Sequence, residues 1–153
     1  LFAEYLQYVN NNMAKKKKIS KLAKAKANPN SKYWRNKADK SWSLLIRRNN
    51  CFVCGTDQNL QAHHIIDRWV LQLRHEPLNG VSLCPAHHKW GRKVSGHKGA
   101  FGLAWLLQQK NPEQWEWLMS QFSNWDVITE QSTNFMEKHI ELSNLLKENK
   151  DLL

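Results

Sequence analysis

Hydrophobic positions follow a helical period in the C-terminal third of this chain and shorter, strand-like runs in its middle. Ser41 to Arg48 joins a cap-type Ser, an apolar stripe of Trp42, Leu45 and Ile46, and a basic end, which predicts a short helix. Leu60 to Ile66 and Val81 to Leu83 are two short apolar runs separated by a polar loop with Pro77 and Asn79-Gly80, and they predict two antiparallel strands. Helix returns at Pro85 to about Trp90, with Pro in the first turn, followed by a Gly-rich connection from Gly91 to Gly102. Phe101, Ala104, Trp105 and Leu106 begin another apolar-faced segment. Asn111-Pro112-Glu113 starts a helix expected to bury Trp115, Leu118, Met119 and Phe122. Phe135, Met136, His139, Ile140, Leu142 and Leu146 predict a last amphipathic helix. These aromatic and Met stripes read as core, and the whole as a mainly helical α+β fold.

The 153 residues suit one domain with an arm or tail, and an apolar content of 41% argues against disorder over most of the length. Phe2, Tyr5, Leu6 and Val9 also recur at helical spacing, but that segment is short, and residues 1–12 are assigned no function. Charge divides the chain more sharply than hydropathy. Residues 11–50 carry +12 and residues 111–153 carry −5, within a net charge of +10. The basic stretch opens Lys15-Lys16-Lys17-Lys18, has few apolar residues, and is expected to be a flexible arm, either for a polyanion or as a solubilising tail. Three units follow: an arm at 1–40, a core at 41–110 and a helical support at 111–153. The acidic helices would avoid DNA, which leaves them to support the core or to pair with a second copy. No apolar run reaches the roughly 18 residues of a membrane span, and no apolar stretch follows the lysines as in a secretory signal. A soluble, intracellular, cytoplasmic protein with no membrane partner is expected.

Cys51-Phe52-Val53-Cys54-Gly55 is a knuckle whose two thiolates can reach one tetrahedral ion. Cys84-Pro85-Ala86-His87 supplies a matching half after 29 intervening residues, so Cys51, Cys54, Cys84 and His87 form a candidate structural zinc site. Either His87 or His88 could be the fourth ligand, and spacing favours His87. Within that frame lie His63-His64-Ile65-Ile66-Asp67-Arg68, then Asn79, then His88. On a strand, neighbouring side chains point to opposite faces, so His63 and His64 need a strand end to serve one site.

This ensemble, over about residues 50–92, resembles the HNH endonucleases, whose active site is the ββα-metal finger, in their zinc-stapled branch. The resemblance implies such a finger with a structural zinc site, flanked by helices. It implies His64 as general base, His63 and His88 as ligands of a catalytic divalent ion, and Asn79 as the residue holding loop and base. Double-stranded DNA would be the substrate, magnesium or manganese the catalytic ion, and the product ends 5′-phosphate and 3′-hydroxyl. Relatives are bacterial or phage-encoded. Imidazole ligands would also admit nickel or zinc.

Arg68, Arg74, Lys89, Arg92, Lys93 and Lys98 flank these motifs and are expected to contact phosphates. Trp69 and Trp90 read as core rather than base-stacking residues, and His75 and His139 as structural. His97 could contact phosphate or add a ligand, and Asp67 could support the site or cap a turn. The competing readings are a non-catalytic zinc-stapled DNA-binding module and a junction- or RNA-directed nuclease.

Overall fold

A computed structural model describes residues 20–148. The first predicted helical segment and the Lys15–Lys18 run lie outside the described residues. Helices α1 (Lys21–Ala27) and α2 (Lys32–Ile46) lead into a knuckle at Cys51–Gly55, then strand β1 (Gln61–His64). A single 3-10 turn, Pro77–Asn79, delivers the chain to β2 (Gly80–Leu83), and a π-helical turn, Ala86–Trp90, follows. Helices α3 (Ala100–Lys110), α4 (Pro112–Ser123), α5 (Trp125–Thr129) and α6 (Phe135–Glu148) complete the order. No helix among the described residues is long and apolar enough to cross a membrane.

The stretch expected as a flexible arm is helical from Lys21, and the boundary placed at residue 40 falls inside α2. Ser20 caps α1 by accepting from the Ala23 amide, and the Met136 amide of α6 bonds to the Pro29 carbonyl. Helix α2 buries Ala38, Ser41, Trp42 and Ile46, a single 3.6-period face that crosses the predicted start at Ser41. It packs along α6, where Leu142 is fully buried with Trp42 and Ile46.

The two strands are antiparallel, with Gln61 opposite Leu83, His63 opposite Val81 and His64 opposite Gly80. Gly80 permits α2 to lie on the sheet: a Cβ there would sit 2.6 Å from both the Trp42 and Ile46 side chains. On the other side, Val81, Leu83, Ile66 and Leu73 form the main core with Leu103 and Leu107 of α3 and Leu118 of α4. Asn111 caps α4 by accepting from the Gln114 amide at 3.2 Å, a contact worth about 1 kcal/mol. The buried Gln114 in turn donates to the Leu78 and Gly80 carbonyls, fixing the start of β2.

The expected helical faces are only partly the buried ones. Met119 and Phe122 of α4, Ile140 of α6, and Phe101 and Trp105 of α3 are exposed. Trp69 and Trp90, read as core from sequence, are also on the surface. Helix α3 is apolar nearly all round, so its period does not identify the covered face; Leu103 and Leu107 do, by packing on β2 and Leu118.

Candidate active site

The knuckle turns back on itself through the Gly55 amide, which donates to the Cys51 carbonyl at 2.7 Å, and Gly55 takes φ +77°. The Phe52 amide donates to the Ser82 carbonyl and hangs the knuckle on β2. The chain leaves β2 through Cys84, and the π-helical turn carries His87 back to the same point. Cys51, Cys54, Cys84 and His87 thereby gather with their ligand atoms within 4.8 Å of one another. Cys84 Sγ lies 3.3 Å and Cys51 Sγ 3.7 Å from His87 Nδ1, and Cys54 Sγ lies 4.0 Å from Cys84 Sγ. A tetrahedral zinc ion, with bonds of roughly 2.3 Å to sulfur and roughly 2.1 Å to nitrogen, separates its ligand atoms by about 3.5 to 3.8 Å. The group therefore fits such an ion in donor chemistry and in span. Burial raises the Cys51 thiol's pKa, but the backbone amides of Cys84, Cys54 and Val53 outweigh it and bring the thiol down to about 6.

A second group takes the next residue of the same π-helical turn, His88. His63, His88 and His97 bring one ring nitrogen each within 4.8 Å of the others, with ring centroids 4.9 to 5.3 Å apart. His88 Nδ1 donates to Gln61 Oε1 at 2.6 Å, which leaves Nε2 as its free lone pair. Burial, then the neighbouring His88, His97 and His64, holds His63 down to about 4, so the ring is neutral and able to ligate near neutral pH. Burial likewise lowers His88, with His97 and Lys89 adding to the effect.

His97 reaches the group because its loop is tied down at several points. The buried Ser95 Oγ accepts from the Lys98 and Gly99 amides, and the Gly96 amide donates to the carbonyl of His87. Gly96 must be glycine for steric reasons, since a Cβ would fall 2.6 to 2.8 Å from the His63 ring. The Cys/His group and the three-histidine group thus share one covalent and one hydrogen-bonded link through His87.

His64 is outside the ligand group but lines the same cleft of about 570 Å³, with His63, His88, His97, Arg68 and Trp69. Its ring stacks on Trp42 at 3.8 Å and 11°. Because the Arg74 carbonyl can only accept, His64 Nε2 donates to it at 2.8 Å, and Nδ1 keeps its lone pair. Burial lowers the His64 pKa, against the raising effect of that hydrogen bond, which favours the neutral ring.

The loop that supplies the Arg74 carbonyl is held from two sides. Asn79, fully buried, accepts from the Ile66 amide and donates to the Ile66 and Leu73 carbonyls. Arg74 forms a bidentate pair with Asp39 of α2 at 2.7 and 2.9 Å, and His75 Nε2 bonds Asp39 at 2.7 Å. Burial opposes ionisation of Asp39, yet the His75 and Arg74 bonds hold its carboxyl well below the usual range. Arg74 is therefore engaged in structure rather than free for phosphate. Asp67 caps a turn by accepting from the Trp69 amide. His139 bonds Ser41 across the α2–α6 seam.

The remaining basic candidates are exposed. Arg68 lines the cleft with its guanidinium 5.7 Å from the Trp69 ring, and Lys89 lies on the π-helical turn. Arg92, Lys93 and Lys98 line an adjoining groove instead. Gln61, Gly96, Asp39 and Trp42 were not singled out for the site from sequence. Gln61 had a signal, since it lies two positions before His63 and so on the same face of the strand. Asp39 had none, because the residues it joins lie 35 and 36 positions away. Set against models of known protein families, curated proteins and solved structures, the chain gives no match.

Proposed function

We propose that this protein is a metal-dependent DNA endonuclease of the HNH type, with the two strands and the π-helical turn as its ββα-metal finger. The observation that carries the reading is the juxtaposition in one cleft of three imidazoles, each offering a ring nitrogen to one point, and a fourth whose Nδ1 lone pair is free. His63, His88 and His97 would hold the divalent ion, whose chemistry when bound is neutralisation of charge on the phosphate and the leaving oxygen. His64 Nδ1 takes the proton of the attacking water, while Trp42 and the Arg74 carbonyl fix the plane of its ring. Asn79 and Asp39 act through the loop that carries that carbonyl, as positioning residues. Arg68 at the rim supplies positive charge for a phosphate.

An all-imidazole donor set favours manganese, nickel or zinc over magnesium, which prefers oxygen ligands. The test is conversion of supercoiled plasmid to nicked circle across a series of these ions. Cutting is expected with manganese or nickel and more slowly with magnesium, leaving 5′-phosphate ends. Retained DNA binding with no cutting in any ion would replace this reading with a zinc-stapled DNA-binding module.

A further inference from the structure

The loop that carries His97 into the cleft has a second face. Lys98, the next residue, lines a separate groove of about 610 Å³ with Arg92, Lys93, Phe101 and Trp105. Two features of this groove are unusual for a protein surface. Phe101 is 87% exposed and Trp105 57%, on a helix that buries Leu103 and Leu107. Trp90, 66% exposed, connects to the groove through Lys98, whose ammonium lies 5.5 Å from its ring. Arg92, Lys93 and Lys98 have no acidic partner among the described residues, so the groove is cationic as well as aromatic.

Exposed aromatic faces set among unpaired cations match a polynucleotide strand whose bases are unstacked from a complement. The rings take the bases and the cations take the backbone. A duplex offers its phosphates but keeps its base faces covered, so it would leave Phe101 and Trp105 without partners. A second protein chain would satisfy the rings, but the three cations only if it brought carboxylates to all of them, whereas a strand carries a phosphate at every nucleotide. Building on the nuclease reading, we propose that Trp90, Phe101 and Trp105, with Arg92, Lys93 and Lys98, form a subsite for an unpaired DNA strand. It would lead that strand past the His97 loop into the histidine cleft, so the preferred substrate has a single-stranded segment next to the cut.

The probes are a fluorescein-labelled 20-nucleotide dT strand, its RNA counterpart and a 20-base-pair duplex, titrated with the full chain without added divalent ion. The dT strand is expected to bind at least roughly 10-fold more tightly than the duplex. The double variant Phe101→Ala, Trp105→Ala should lose roughly 10-fold or more on dT and little on the duplex. Both side chains are exposed, so its melting temperature should match the parent. Reversing Arg92, Lys93 and Lys98 to Glu should lower the slope of log affinity against log salt by at least about 2.

Unchanged dT affinity in the aromatic variant would overturn the subsite. So would tighter binding of the RNA strand, or a dimer in sedimentation that the aromatic variant dissolves. Binding of dT with no cutting of any DNA would end the nuclease reading and leave the subsite standing. Cutting of duplex plasmid without a single-strand preference would do the reverse.

Discussion

Asp39 shows how far a single carboxylate can reach in this molecule. It pairs with Arg74 and His75, Arg74 offers its carbonyl to His64, and His64 is thereby left with a lone pair on Nδ1. Its folded pKa is depressed below the unfolded value of about 3.9, so its contribution to stability is complete above about pH 4 and lost as pH falls below that. Asp39→Asn should cost roughly 1 to 3 kcal/mol at pH 7, the range for hydrogen bonds to charged groups, discounted toward the lower end for partial exposure. Thermal melts of both proteins from pH 7 to pH 3 check the sign. The gap should narrow below pH 4, and a constant gap would mean that the carboxylate's charge is not what holds the loop. Nothing in the local sequence pointed to Asp39, whereas His63, His64, Asn79 and His88 stood out as one enclosed set and took their expected roles from the resemblance. His97 was visible as an option, and its place in the cleft depends on Gly96 and Ser95, whose roles are steric and local.

Among the elements, the strand pair and the helices starting at Pro112 and Phe135 were legible, because short apolar runs, an Asn-Pro start and a 3.6-residue period each have a direct physical cause. Helix α2 was longer than its sequence suggested, since Ala38 continues the buried face among lysines that dominate the composition. The π-helical turn could not be read either. Its Gly91 amide bonds to the Ala86 carbonyl, and within it two adjacent histidines serve different groups. With zinc held by the Cys3His group, the turn would depend on metal. Cys51→Ser should lose bound zinc, lower the melting temperature steeply and release the Gly96 contact to His87, because ligand binding in such sites is folding energy. Metal analysis and melting of the purified variant check this, and a well-folded, zinc-free protein would remove zinc from the structural role.

At the scale of the whole molecule, the Cys3His group and the three-histidine cleft meet at adjacent residues of one turn, His87 and His88, near a core from the strands, α3 and α4. Helices α2 and α6 brace the other side of the sheet through Trp42, which also stacks on His64. The exposed aromatic side chains on the Trp90–Trp105 side were read from sequence as core, and the basic ones as phosphate contacts, because periodicity describes a helix's own faces and not what covers them. All of this converges on His64 as the base of a proposed metal-dependent nuclease. The most direct test is the initial rate of plasmid nicking in manganese by the parent protein and by His64→Ala at equal zinc content and melting temperature. A fall of roughly 10²- to 10⁴-fold is expected for loss of a general base. Equal rates in the two proteins would contradict it.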